Sequence, residues 1–167
     1  MKGLQYICYV SSAVGRMSEH ELEARLEAER AFNASASVTG VLFHDDGNFF
    51  QYIEGPADGV EAAYARIKKS SHHAGIIEMM RDSIAVRAFP TWLMAHVSRS
   101  RIISLQTAGW QQLRAQLTAA DGPNLGLVLL RDHLQIANVA VKSLSTCDVR
   151  CETVRRCSRW SSSYGQQ

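Results

Sequence analysis

Gln51 is the side chain most in need of a chemical reason. It lies in the run Gly47 to Gly55 (GNFFQYIEG), an uncharged amide amid aromatic and aliphatic neighbours in what reads as a buried strand after a tight turn. A buried Gln must satisfy both its donor and its acceptor or cost about 1–3 kcal/mol. A bound polar ligand or a hydrogen-bond switch would justify that cost. Three more hydrogen-bonding side chains are expected beside it. Alternation along strands puts Ile7 with Tyr9, Phe49 with Gln51 and Ile53, and Trp92 with Met94 and His96 on shared faces. Asn33, eleven positions after Leu22, falls on the inward stripe of a helix. Tyr9, Asn33, Gln51 and Trp92 in one helix–sheet interface exceed what packing requires. Singly, each has a plainer reading: Tyr9 as a core tyrosine, Asn33 as a helix C-cap, Trp92 and Met94 as core filler. It is their coincidence with Gln51, an amide able both to accept and to donate, that shifts the balance away from plain packing.

The elements that must position these groups are legible from pattern. Residues 4–10 are β-branched and aromatic and predict a strand. Ser18 with Glu21 has capping-box spacing, opening a helix to about Ala34 with Leu22 and Leu26 on one stripe. Val38 to Phe43 predicts a strand, Asp46-Gly47 a hairpin turn, and Phe49 to Glu54 the returning strand. Val60, Ala63, Tyr64 and Ile67 mark a second amphipathic helix ending at Lys68-Lys69. Ile76 to about Val86 and Trp92 to Val97 predict two further strands around Pro90. This order has the split βαβ arrangement, with both helices on one face of a mixed sheet. Beyond residue 98 the pattern predicts a helix around 101–120, a turn at 121–124 and an apolar stretch from Leu125 to Val141. The last segment, 142–167, is Ser- and Arg-rich and reads as a disordered tail.

Composition excludes several classes. A net charge of +2, from 18 basic and 16 acidic residues, gives no global field that argues for nucleic acid. No window approaches a membrane span, and the start does not resemble a cleavable signal. Cys8 reads as a small buried thiol. Cys147, Cys151 and Cys157 lack a fourth ligand, so no metal site is expected, and a reduced cytoplasmic setting fits best.

The motifs resemble those of the BLUF domains, blue-light sensors that use flavin. Tyr9-Val10-Ser11-Ser12 is similar to the family's Tyr-x-Ser. Phe32-Asn33-Ala34 leading into Val38-Thr39-Gly40-Val41-Leu42 resembles its Asn and following strand. Asn48 through Pro56, Ile67 through His73, and Phe89-Pro90-Thr91-Trp92-Leu93-Met94 match in the right order, so the resemblance spans roughly residues 3–98. It implies the α+β, ferredoxin-like βαββαββ fold, with a sensor domain over 1–98, a C-terminal helical extension over 99–141 and the tail over 142–167. It implies non-covalent FAD held between the two helices, Asn33 on the ring's polar edge, and Gln51 between the flavin and Tyr9. Phe49, Ile67, Lys68 and His72 complete the expected cofactor contacts. His72 stands where the family often has Arg, and Ser70 where it has Asp, which alters the expected contact to the ring carbonyl. Tyr9, Gln51, Trp92 and Met94 are the expected photoactive residues: Tyr9 gives an electron and a proton, Gln51 relays the proton, and Trp92 and Met94 pass the change to the extension. The resemblance further implies a bacterial, cytoplasmic, self-associating sensor without enzymatic activity, nucleic acid or membrane, acting on a separate downstream protein. The stretch beyond residue 98 is expected to be too short for a cyclase or diesterase.

Two other classes fit the same fold. A ferredoxin-like RNA-binding module without flavin would stack bases on exposed Phe50 and Tyr52, though the strands carry almost no basic residues. A small hydrolase using His72 or His73 as base would need a nucleophile and oxyanion loop that the sequence does not display.

Overall fold

The computed structural model describes residues 3–98 and 124–133. Strand β1 (Leu4–Ala13) is followed by α1 (Glu19–Ser35), β2 (Thr39–Asp45), β3 (Asn48–Pro56), α2 (Ala57–Lys69), β4 (His73–Ile84) and β5 (Ala95–Ser98). The sheet order is β4-β1-β3-β2-β5, antiparallel except for β5, which runs parallel to β2. The fold is α+β and ferredoxin-like, as the pattern of elements implies.

Local chemistry explains the boundaries. The Ser18 side chain accepts from the Glu21 N–H while the Glu21 carboxylate accepts from the Ser18 N–H, the reciprocal cap expected from the sequence. Asp46 and Gly47 join β2 to β3 with φ of 44° and 76°, the two positive values a type I′ hairpin requires. Strand alternation then sorts the sheet into two cores. On one face Ile7, Tyr9, Leu42, Phe49 and Ile53 meet Leu22 and Leu26 of α1 and Val60, Ala63, Tyr64 and Ile67 of α2. On the other face Tyr6, Cys8, Val41, Phe43, Phe50 and Tyr52 pack with Phe89, Leu127 and Leu130.

Residues 125–133 are helical and lie on that second face. Asn124 caps them, its Oδ1 accepting from the Leu127 N–H at 3.2 Å, while its Nδ2 donates to the Tyr52 hydroxyl at 2.8 Å. Gly126 donates its N–H to the Tyr6 hydroxyl at 3.3 Å, and its missing side chain makes room for the Tyr6 ring. The aromatic pair the RNA-binding alternative required to be exposed is therefore interior: Phe50 and Tyr52 are 3% and 0% exposed. That reading therefore has no support from these two rings.

Two strands differ from expectation. β4 begins at His73 rather than Ile76, because β1 continues to Ala13 and pairs Ala13 with His73 across a bulged register. β5 begins at Ala95 rather than Trp92, since the backbone from Trp92 to Met94 spends its carbonyls on other partners. Gly40 N–H donates to Trp92 O at 2.7 Å, Asn33 Nδ2 to Leu93 O at 2.8 Å, and Arg30 Nε to Met94 O at 3.1 Å. The helix expected around 101–120, most of the turn at 121–124, the apolar stretch beyond residue 133 and the tail lie outside the described residues. Among the described residues no helix is long and apolar enough to cross a membrane.

Candidate functional site

α1 and α2 leave a cleft between them that opens onto the centre of the sheet. Its apolar walls are Leu22 and Leu26 from α1, Ala63 and Ile67 from α2, and Leu42 and Phe49 from the sheet. Its polar groups are Asn33, Gln51, Arg25, Glu29, His72 and His73. Counting its open mouth, the cleft holds about 650 Å³ of empty space. Two apolar helix faces with amides at the sheet end suit a flat, mostly apolar ring that carries hydrogen-bonding atoms along one edge.

Tyr9 and Gln51 face each other because β1 and β3 pair them in register. The Tyr9 hydroxyl donates to Gln51 Oε1. Gln51 Nε2 in turn donates to the Met94 sulfur at 3.2 Å. Thioether sulfur is a weak acceptor, so the amide keeps donor capacity directed at the cleft it lines. Tyr9 itself is wholly buried behind Gln51, tilted against Tyr64 with ring centroids 5.5 Å apart. Burial pushes its phenol well above the usual tyrosine range, so the proton stays on Tyr9 at any neutral or mildly basic pH. Asn33 is 4% exposed, lines the cleft and donates its Nδ2 to Leu93 O.

The expected site residues separate into those the fold brings together and those it does not. Asn33, Gln51, Phe49, Ile67 and His72 line the cleft, Tyr9 sits one hydrogen bond behind it, and Met94 touches Gln51. Trp92 is a correction. It stacks on Phe89 on the opposite face of the sheet, centroids 5.4 Å apart, and packs with the core under residues 125–133. Strand parity for Trp92 and Met94 fails because neither residue is in a strand. Lys68 lies outside the cleft: it is exposed, with Nζ 4.7 Å over the Tyr64 ring. Lys69 instead borders an adjoining open groove with Arg66, Ser70 and Ser71.

Arg25, Glu29 and His73 were absent from the expected set. The signal was available for the first two: Leu22, Arg25, Leu26, Glu29 and Asn33 follow helical spacing along one face of α1. Arg25 reaches across the mouth to contact His72 Nε2. Glu29 meets Arg66 of α2 at 3.3 Å, joining the helices over the adjoining groove. His73 lies against Phe49, centroids 4.9 Å apart, with Nδ1 2.9 Å from Ser11 Oγ.

Burial, and then His72, pulls the His73 pKa below the ordinary imidazole value; burial does the same to His133, which stacks on Phe50. The sign follows. Both rings bind protons more weakly folded than unfolded, so their contribution is intact above about pH 6.5 and is lost as pH falls through the folded values. Unfolding midpoints in urea are expected to fall between pH 7.5 and pH 5.5, and His73→Gln should flatten part of that fall. An unchanged slope in His73→Gln would assign the acid sensitivity elsewhere.

Comparison with known proteins agrees with this geometry. The chain is 30% identical over 100 residues to photoactivated adenylate cyclase subunit beta of Euglena gracilis, a match covering 59% of this chain and 12% of that protein. This chain therefore spans a small fraction of that relative's length. Among solved structures it superposes on BlrB, a BLUF protein in its dark state, with a TM-score of 0.61 and 27% identity, covering 83% of this chain and 98% of that one. It also superposes on Klebsiella pneumoniae BlrP1 with FMN and cyclic diGMP, with a TM-score of 0.57 and 26% identity, covering 66% of this chain and 30% of that one. The family model for sensors of blue light using FAD matches residues 4–95: the chain belongs to the BLUF family of blue-light flavin sensors.

Proposed function

We propose that this chain is a blue-light receptor that holds FAD in the α1–α2 cleft and signals to a separate effector protein through Met94, β5 and the chain beyond residue 98. The observation that carries the reading is the Tyr9 hydroxyl on Gln51 Oε1, with Gln51 itself lining the cleft. A bound flavin supplies a blue-absorbing oxidant. Asn33 and Gln51 orient its polar edge, and Phe49, Ile67, Leu22 and Leu26 exclude water from its faces. Arg66 and Lys69 beside the open groove suit a phosphate-bearing tail. Tyr9 would be the electron donor to such a group, and its hydrogen bond to Gln51 Oε1 would carry the proton out and return it to the phenol with the electron, so that the Gln51 amide ends neutral but rotated or tautomerised, which changes what it offers Met94. Nothing is consumed; the output is an altered hydrogen-bond network that biases a neighbouring element. Residues 1–98 are the sensing unit of this reading and the remainder is its output.

The test is the spectrum of the purified protein loaded with FAD, FMN or riboflavin. The expected result is a flavin absorption band that moves to the red under blue light and reverts in darkness, with FAD retained most tightly. A bound flavin whose spectrum ignores blue light would defeat the reading.

A further inference from the structure

Met94 meets Gln51 where the backbone just before β5 is held by donors from α1 and β2. Three successive carbonyls, of Trp92, Leu93 and Met94, are each tied by a donor: Gly40 N–H, the Asn33 amide and the Arg30 guanidinium. Asn33 and Arg30 lie three apart on α1, on neighbouring positions of one face. Arg30 is itself oriented. Its Nη1 donates to Glu23 Oε1 at 2.7 Å, seven residues earlier on the helix. The other oxygen of Glu23 lies 3.4 Å from Nδ1 of His96, whose side chain is 1% exposed. The Arg30–Glu23 pair therefore holds the start of β5 at Met94, with the Glu23 carboxylate close beside His96. Arg30 and Glu23 are only 29% and 36% exposed, which shields the pair from full solvent screening.

We infer that Arg30 is a positioning residue for the photoresponse: through its hold on the Met94 carbonyl it sets where the Met94 sulfur meets the Gln51 amide, and it speeds the return to the resting arrangement. The inference rests on the photoreceptor reading for its kinetic part. The N–H···S contact is too weak to place Met94 alone, whereas a guanidinium–carbonyl bond oriented by a carboxylate is a charge-assisted one. Light alters the Gln51 amide, and the displaced Met94 backbone must then give up or strain its Arg30 bond. That bond draws the segment back in the dark.

Arg30→Gln keeps a donor but removes the charge and the fork to Glu23. Loaded with FAD, it is expected to retain the red shift and to recover in darkness roughly tenfold more slowly, the rate equivalent of losing part of one charged hydrogen bond. Backbone amides of Ala95 to Ser98 should exchange with deuterium faster, those of β1 and β3 unchanged. Glu23→Gln should shift both readouts in the same direction and less, which guards against misfolding of the Arg30 variant. In a Met94→Ala background Arg30→Gln should add no further slowing, because the residue acts through Met94. Unchanged recovery, equal slowing without Met94, or exchange accelerated across the whole sheet each overturns the inference. If the parent protein binds flavin but gives no red shift, the photoreceptor reading fails separately, and unchanged exchange at β5 still sinks the clamp.

Discussion

Tyr9→Phe is expected to bind flavin as tightly as the parent protein and to lose its light-induced red shift completely. The substitution removes one oxygen from a ring that is 0% exposed and already packed against Tyr64 and His73, so the core keeps its shape. The cost is an unmade hydrogen bond at Gln51 Oε1, about 1–3 kcal/mol of stability. The effect on the response is of another order because two properties vanish together: an oxidisable phenol and the hydrogen bond along which its proton leaves. Neighbouring rings cannot replace them. Tyr64 lies 5.5 Å from Tyr9 and is oxidisable, but its polar and ring partners are Glu78, Tyr9, Lys68 and Arg81 rather than Gln51. An electron lent by Tyr64 returns without a proton having reached the amide. Trp92 is on the far side of the sheet, stacked on Phe89. The measurement is the light-minus-dark absorbance of the loaded variant. A retained shift would mean that Gln51 rearranges without Tyr9, and the route drawn above would have to be abandoned.

What the sequence disclosed and what it withheld divide along physical lines. Short-range rules worked where the determinant is local. The Ser18–Glu21 box, the Asp46-Gly47 turn and the apolar stripe Val60, Ala63, Tyr64, Ile67 are each decided within about two helical turns of chain, and each appears in the structure. The pairing of Tyr9 with Gln51 was reachable too, since strand parity places both on one face. Trp92 escaped because parity applies only inside a strand. The carbonyls that would have extended β5 are claimed by α1 and β2, partners 50 or more positions away in the chain. Arg25 and Glu29 were overlooked for a different reason: charged side chains on a helix are read as solvated, and only the second helix across the cleft turns that face into a wall. An extension packed on the sheet's free face was one of two open readings beside a subunit contact, but the individual rings that residues 125–133 meet were not legible, because Tyr6, Phe43 and Phe50 read as sheet surface until something covers them.

Glu54 is the other residue whose role no local rule announces, and its substitution is expected to have the largest effect on stability. It lies two residues before the end of β3, on the face opposite Gln51, is 0% exposed, and gathers four donors. Its Oε1 accepts from the Phe89 N–H at 2.6 Å and the Thr39 hydroxyl at 3.5 Å; Oε2 accepts from the Ala88 N–H at 2.9 Å and the Tyr52 hydroxyl at 3.2 Å. Burial raises its pKa, while the N–H groups of Ala88 and Phe89 pull it down, as do Tyr52 and Arg87. Donors alone surround it, which is the environment of a carboxylate rather than of an acid. Glu54→Gln keeps the shape and turns one acceptor into a donor, setting an NH₂ against either Ala88 or Phe89. Two buried N–H groups then compete for one oxygen, and the expected loss is about 3 kcal/mol, roughly 15 °C in Tm for a domain of this size. The same change frees the segment that carries Phe89 and Trp92, so tryptophan fluorescence should shift before global unfolding in a urea titration. It also slackens Tyr52, whose hydroxyl holds Asn124 at the head of the helical residues 125–133. A stability change below about 0.5 kcal/mol, the scale of an indifferent surface substitution, would mean that Glu54 carries its own proton when folded, because a neutral acid and an amide both present one donor and one acceptor to these partners.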